Sequence, residues 1–209
     1  MSVLRGHILE RSTELFNMKG FFNVSIQEIA KDLDISPGNF TYHFPKKEDL
    51  LLAIQQEIIA KASLNIFPSE TVPAFTHLEE LFEQFFEIQK RYSFFFSNLQ
   101  YLSYEYPEVI QPYKEVSKQR LEDARKLVDY YILTNRFIPE SERVNYDTLI
   151  HNLWTLNTFW KLKSELIGGE NDFQTSIAHI WNTILPFLTD KGFDEYSEIQ
   201  SFKKRLKNN

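Results

Sequence analysis

The side chains best suited to contacting another molecule lie close together in the first quarter of the chain. Asn39 carries an amide that can form paired hydrogen bonds with adenine, and Thr41 carries a methyl group and a hydroxyl that can contact thymine and other base edges. Tyr42, His43 and Lys47 carry donors suited to phosphate oxygens, which hold a protein in register without reading sequence. Together these residues predict a surface that binds double-stranded DNA.

Two short helices separated by a tight turn are predicted to position these side chains. Ser25 and Glu28 form an S-x-x-E capping box, which starts a helix over about residues 25–32. Ser36 starts the next helix, which places Pro37 at its first position and ends before the proline that follows Phe44. This arrangement is a helix-turn-helix, whose second helix enters the major groove.

The candidate DNA-contacting set combines positions of the second helix with the two capping serines and with Lys47 at the start of the helix that follows. Its members are Ser25, Ser36, Pro37, Gly38, Asn39, Thr41, Tyr42, His43 and Lys47. Some of these residues also have a plain structural interpretation. Tyr42 can pack on the surface, His43 can cap or pack, and Lys47 can be a solvated lysine at a helix start.

Helical periodicity dominates the rest of the chain and predicts an all-α fold. Further helices are expected over about 3–19, 47–66, 74–91, 93–104, 107–135, 144–167 and 173–189, and the basic tail at 203–207 is expected to fray. The best candidate linker runs from Pro68 to Pro73. The layout therefore predicts an N-terminal three-helix bundle over 1–47, a connecting helix, and a larger helical domain over 68–209.

The sequence SIQEIAKDLDISPGNFTYHFPKKEDL, from Ser25 to Leu50, resembles the DNA-binding signature of the TetR family of bacterial transcriptional regulators. Agreement is strongest at Ile35-Ser36, at Gly38 and Phe40, and in the run YHFP that leads to KEDL. The detailed match covers about the first quarter of the chain. The remaining length and helical layout suit the family at the level of the fold.

Two positions depart from the family pattern, and the local charge also bears on DNA binding. Asp34 stands where the turn usually has glycine, and we expect the turn to survive because aspartate tolerates a left-handed conformation. Thr41 stands where an aromatic residue is common, which affects the operator sequence. Residues 1–60 hold six basic and eight acidic side chains, a net charge of 6 − 8 = −2. Binding by one helix-turn-helix domain, or DNA head, is therefore expected to be weak and salt-sensitive. Two heads about 34–36 Å apart on a palindromic site would strengthen it.

The resemblance implies a homodimer and a regulatory pocket in the larger domain, so that domain is expected to bind ligand and to dimerise. The dimer is expected to form through the helices around 144–167 and 173–189, with the interface residues Leu149, Leu153, Trp160, Ile177, Trp181 and Ile184. The two tryptophans of this set can instead be core residues. The pocket is expected among the helices between about 74 and 160. Its candidate lining residues are Phe82, Phe85, Phe86, Phe95, Tyr101 and Tyr104, which suggest an apolar ligand, although any single Phe of such a stripe is more often core than pocket.

Composition limits the remaining classes of protein. The absence of cysteine excludes disulfides, Cys-zinc sites and a Cys nucleophile, and the scattered histidines predict no metal site and no cofactor. The net charge of 23 − 29 = −6 argues against a broadly basic surface. The N-terminus has no long apolar run and no stretch approaches about 18 apolar residues, so we expect a cytoplasmic protein without a membrane span.

No sequence feature indicates an enzyme. The chain has no Gly-rich phosphate loop, no G-x-S-x-G and no H-E-x-x-H. The resulting prediction is a sequence-specific transcriptional regulator, which the family resemblance makes a repressor released from its operator by an apolar ligand. The alternative is a helical ligand-sensing protein with weak or lost DNA binding, which the acidic N-terminal segment favours.

Overall fold

The computed structural model describes residues 3–62 and 73–207, and these residues are mostly helical. The α-helices are α1 (Val3–Lys19), α2 (Ile26–Asp32), α3 (Pro37–His43), α4 (Lys47–Ala62), α5 (Phe75–Arg91), α6 (Ser93–Ser97), α7 (Leu99–Glu105), α8 (Pro107–Leu133), α9 (Tyr146–Ile167), α10 (Phe173–Ile184) and α11 (Asp190–Lys207). Short 3-10 helices cover Phe21–Asn23 and Leu185–Phe187. No strand forms within the described residues, and the all-α prediction is confirmed.

Polar side chains begin several of these helices where the sequence predicts a cap. Ser25, Ser36, Asn145 and Asp172 each accept a hydrogen bond from the backbone N–H three residues later, at 2.7 to 3.1 Å. Each bond satisfies a donor that has no partner inside its own helix. The helix starts predicted at Ser25, Ser36 and Asp172 are therefore confirmed.

The segment expected as one helix over 93–104 is two helices, α6 and α7. They meet at Asn98, whose Nδ2 donates to the carbonyl oxygen of Phe94 at 2.6 Å. An asparagine side chain that bonds to nearby backbone offers the chain an alternative to continued helix, which explains the break. Hydrophobic periodicity alone does not detect this competition.

The expectation of a frayed tail was wrong, because the last described residues form the 18-residue helix α11. Its Lys203 ammonium is ion-paired with the buried Glu79 carboxylate, and its Tyr196 ring lies 4.8 Å from the Trp181 ring. Gly192 permits close packing at the helix start, since a Cβ there would lie 2.1 Å from the Arg136 carbonyl oxygen. Tertiary contacts therefore anchor a helix that continues through the basic residues at 203–207.

The chain groups into two compact units, and their boundaries differ from the division expected at residue 68. Unit 1 comprises residues 1–63 with 87–116, and unit 2 comprises 64–86 with 117–209. Asn17 links 87–116 to α1: its Nδ2 donates to the Arg91 carbonyl at 2.7 Å, and its Oδ1 accepts from the Phe94 N–H at 3.0 Å. The expected linker, apart from its last residue, and the end of the helix expected over 47–66 lie outside the described residues.

Unit 2 is built around a cluster of aromatic side chains. Phe75, Tyr131, Phe137, Tyr146 and Trp181 are all buried, and the stacked rings of Phe137 and Tyr146 are 5.6 Å apart. Such pairs add about 0.5–1.5 kcal/mol each beyond the area they bury. Aromatic side chains therefore form much of the core of this unit.

Candidate nucleic-acid interface and cavity

The turn between α2 and α3 forms with Asp34 in the left-handed conformation, at φ 54°. The Ile35 N–H donates to the Ala30 carbonyl at 3.0 Å, and the Asp34 N–H donates to the Lys31 carbonyl at 3.2 Å. These two bonds define a Schellman motif, in which the left-handed residue follows the helix cap. The expectation that aspartate can replace the usual glycine here is confirmed.

Helix α3 buries one face and presents the other to solvent. Phe40 is fully buried, whereas Asn39, Thr41 and Tyr42 are exposed, and the Tyr42 side chain keeps 83% of its surface. Thr41 Oγ1 donates to the Gly38 carbonyl at 3.2 Å. The predicted base-contacting side chains Asn39 and Thr41 are therefore both accessible to solvent on the second helix.

Four further members of the predicted DNA-contacting set, Ser25, Ser36, Pro37 and His43, differ in exposure and in their local contacts. The Ser25 and Ser36 hydroxyls accept the capping bonds, and each keeps a proton that can be donated. His43 is half-buried, with its ring 5.2 Å from that of Tyr42. Pro37 is exposed in the first turn of α3.

Lys47 lies elsewhere, and its assignment to a phosphate is corrected. Its Nζ donates to the carbonyl oxygens of Phe21 and Val24 at 2.6 and 2.8 Å and lies 4.1 Å from the Phe21 ring centroid. Burial lowers the pKa of this ammonium, and the nearby Glu48 carboxylate opposes that shift. Lys47 therefore ties the start of α4 to the segment after α1 rather than facing solvent.

Two lysines of unit 1 that are outside the predicted DNA-contacting set have exposed side chains. Lys31 is in the last turn of α2, and Lys46 immediately precedes α4. By contrast, Arg11 is ion-paired with Asp32 and Glu14, and Lys19 is ion-paired with Glu28. Adjacent lysines in the run PKK look alike in sequence, so only the structure distinguishes the exposed Lys46 from the half-buried Lys47.

The aromatic residues predicted to line one pocket are dispersed. Phe95 is fully buried in unit 1 with its ring 5.8 Å from Tyr113, and Tyr101 packs its ring 4.5 Å from Phe22. Tyr104 is 84% exposed. These three residues are corrected to core or surface positions of unit 1, because α6 and α7 group with the N-terminal helices.

Unit 2 contains a cavity of about 160 Å³. Its lining comes mainly from α5, α8 and α9 and consists of Leu78, Phe82, Arg120, Leu121, Ala124, Leu127, Val128, Tyr131, Phe137, Leu149, Ile150, Leu153, Trp154, Asn157 and Ile184. Of the predicted set only Phe82 is among them. Phe86 is buried with its ring 5.8 Å from Phe173, and Phe85 is half-buried without lining the cavity.

Most residues predicted at a dimer interface are instead core residues of a single chain. Trp160, Trp181, Leu149, Ile177 and Ile184 are each at most 5% exposed within one chain. A side chain already covered by its own chain has no surface left for a partner, so this assignment is corrected. Leu153 is half-buried and lines the cavity.

Two further features bear on partners. Among residues 3–62 and 73–207, no group of three or more His, Asp or Glu side chains is placed to hold a metal ion. Within that same part of the chain, no helix combines the length and apolarity needed to cross a bilayer.

Comparison with known proteins agrees with this geometry. The family model described as bacterial regulatory proteins, tetR family, matches residues 8–54, and the model described as bacterial transcriptional repressor matches residues 61–196. The chain is 49% identical over 47 residues to the uncharacterised HTH-type transcriptional regulator YuxN of Bacillus subtilis, a match that covers 22% of this chain and 16% of YuxN.

Solved structures extend the likeness over nearly the whole chain. A TetR-family transcriptional regulator from Marinobacter aquaeolei VT8 superimposes with a TM-score of 0.84 and 26% identity, covering 97% of this chain and 99% of that one. The ketosteroid transcriptional regulator KstR2 of Mycobacterium tuberculosis has a TM-score of 0.68 at 16% identity over 91% of this chain and 97% of its own, which shows the shared fold.

The helix-turn-helix, its exposed second helix and these matches define a DNA-binding transcriptional regulator. The chain belongs to the TetR family of bacterial transcriptional regulators. Members of this family are transcription factors, so the protein is a regulator and not an enzyme.

Proposed function

We propose that this chain is a cytoplasmic transcriptional repressor that binds a palindromic operator as a homodimer and is released by an apolar small molecule. The observation that carries the DNA-binding part is the division of α3 into a buried Phe40 and an exposed face with Asn39, Thr41 and Tyr42. The short side chains of Gly38, Asn39 and Thr41 let the helix approach base edges closely.

The contacts divide into two roles. Asn39 and Thr41 read bases, because their donors and methyl group project from the exposed side of the recognition helix. Tyr42, Lys31 and Lys46 contact phosphates, and the Ser25 and Ser36 hydroxyls and His43 supply further donors to the DNA backbone. Lys31 and Lys46 have the phosphate-contacting role that was predicted for Lys47.

The release by a ligand is supported by the cavity in unit 2. Its walls are mainly apolar, and Phe82 joins residues of α8 and α9 around it. A ligand that binds more tightly to one arrangement of the dimer shifts the population toward that arrangement. Release requires that the favoured arrangement hold the two DNA heads at a spacing unsuited to the operator.

A homodimer is supported by an exposed apolar stripe on α9. Phe159, Leu162 and Leu166 follow at intervals of three and four residues and are 41%, 38% and 74% exposed. Helical residues at such intervals lie on one face. Because TetR-family proteins act on palindromic sites, we take a second copy of this chain as the partner that covers this stripe.

The test is fluorescence anisotropy on DNA from immediately upstream of the gene, beside a scrambled duplex, at several salt concentrations. We expect saturable binding that is roughly a thousand-fold tighter than to scrambled DNA. Asn39→Ala changes the preferred sequence, whereas Tyr42→Phe weakens binding to all sequences alike. Unchanged operator preference in Asn39→Ala would contradict the base-contact assignment.

A ligand sensor with weak or lost DNA binding is the second candidate. It is favoured by the acidic charge of residues 1–60 and by the ion pairs that engage Arg11 and Lys19. Equal, weak binding to operator candidates from across the genome and to scrambled DNA would support this candidate over the repressor.

A further inference from the structure

The cavity in unit 2 combines apolar walls with one charged side chain among its described lining residues, Arg120 on α8. Eleven of the fifteen lining residues are Ala, Val, Leu, Ile or Phe. The neutral polar groups come from Tyr131, Trp154 and Asn157. No acidic side chain belongs to this lining, and Arg120 carries the one formal charge among the described lining residues.

The cationic group has lost part of its hydration. Arg120 is half-buried, and burial lowers the pKa of its guanidinium against the opposing attraction of Asp123. A guanidinium at an apolar wall is stabilised by an anion that presents two oxygens to its planar fork.

The size of the cavity limits the apolar part of its occupant. A cavity of about 150 Å³ lined by Leu, Ile and Phe holds a benzene ring, and this one measures about 160 Å³. The Tyr131 hydroxyl, which could otherwise favour a polar ligand, donates to the Ala74 carbonyl at 3.3 Å. The space therefore suits one aromatic ring or an acyl chain of roughly six carbons.

We propose that the cavity binds a small apolar carboxylate, with its ring or short chain among the aliphatic walls and its carboxylate paired with Arg120. The regulatory consequence rests on the proposed function, in which binding at this cavity releases DNA. The binding itself is a separate property of unit 2 and is measured without DNA.

The first experiment is calorimetric titration of the full-length protein with 3-phenylpropionate and hexanoate, beside the neutral 3-phenylpropanamide and hexanamide. We expect at least one acid to bind and its amide to bind at least tenfold more weakly, since the amide has no charge for the guanidinium. The two acids distinguish a ring from a chain. Equal affinity of acid and amide, or no binding of either acid at millimolar concentration, overturns the proposal.

Variants then locate the charge. Arg120→Gln lowers the affinity for the bound acid about 10- to 100-fold, as expected for a charge-assisted pair, and leaves that for the amide within about threefold. Arg120→Lys recovers part of the loss. Lys114→Gln removes a positive charge from an exposed position of the same helix and is the matched control. Wild-type affinity for the acid in Arg120→Gln overturns the assignment, and the acid–amide comparison needs no variant to fold.

Anisotropy on operator DNA separates this inference from the proposed function. An acid that binds through Arg120 without releasing DNA contradicts ligand release and keeps the ligand class. A neutral apolar compound that releases DNA, when neither acid binds, keeps the proposed function and overturns the ligand class.

Discussion

Gly38 lies on the exposed face of α3, where a Cβ would be 3.9 Å from the Ser36 hydroxyl oxygen, an ordinary contact. The fold therefore tolerates alanine here, and alanine stabilises helices by roughly 0.5–1 kcal/mol relative to glycine. We predict that Gly38→Ala keeps or raises the free energy of unfolding in urea but weakens operator binding about tenfold, because the methyl group occupies space needed for base contact.

The matched control is Gly6→Ala in α1, where an added Cβ meets no atom within 4 Å. This variant should stabilise the protein and leave DNA affinity unchanged. Wild-type operator affinity in Gly38→Ala would show that this part of α3 does not approach the bases.

The neighbouring Lys46 and Lys47 are predicted to fail in different ways. Lys47→Gln removes the two hydrogen bonds to the backbone carbonyls of Phe21 and Val24. It should lower the free energy of unfolding by about 1–3 kcal/mol. Lys46→Gln should leave stability unchanged, weaken binding to every DNA sequence and reduce the salt slope by about one. Urea denaturation and salt-dependent anisotropy of both variants check the pair, and a reversed pattern would restore Lys47 as the phosphate contact.

At the scale of an element, the turn between α2 and α3 depends on the left-handed conformation of Asp34. We predict that Asp34→Gly raises the free energy of unfolding by up to about 1 kcal/mol, and that Asp34→Val lowers it by about 1–2 kcal/mol, because a β-branched residue is strained at positive φ. Denaturant titration measures both. Equal stability of the two variants would mean that the turn adopts another conformation.

The N-cap of α10 predicts a pH effect. Backbone and side-chain hydrogen bonds from Thr175 lower the pKa of Asp172 below its ordinary value. A carboxyl group with a depressed folded-state pKa stabilises the protein above its unfolded-state pKa and loses that contribution as pH falls through the folded-state value. Asparagine caps equally well without titrating.

We therefore expect Asp172→Asn to keep the melting temperature near its wild-type value at pH 7 and to show a smaller loss on acidification from about pH 5 to about pH 3. The reverse change, Asn145→Asp at the N-cap of α9, should increase that loss. Identical acid profiles of Asp172→Asn and the wild type would contradict a titrating cap.

At the scale of the whole molecule, the exposed stripe on α9 is the surface proposed to join two copies. We predict that Leu166→Glu shifts the protein from dimer to monomer in sedimentation and weakens operator binding by at least tenfold, since one head alone contacts half the site. Leu133→Glu changes another leucine of unit 2, 84% exposed against 74% for Leu166, and should remain dimeric. A dimeric Leu166→Glu would place the interface elsewhere.

Local sequence determined the helix-turn-helix with good accuracy. The caps at Ser25 and Ser36, the apolar side chains of Ile29 and Phe40, and the left-handed turn at Asp34 all act within a few residues of one another. Interactions of this kind can be predicted from the sequence, because capping, helical periodicity and turn conformation depend on residues that are close together in the chain.

The tertiary structure decided which partner each apolar or charged face meets. Helical periodicity indicated that Phe95 and Trp181 lie on apolar faces that must be covered. Only the tertiary structure shows that Phe95 is buried in unit 1 and that Trp181 is buried within a single chain. The ion pair of Lys203 with Glu79 and the position of Arg120 at the cavity likewise depend on contacts between distant segments or helices. Helical spacing defines an apolar face of a helix. It does not determine which segment or partner packs against that face, because such contacts form only when distant parts of the chain come together.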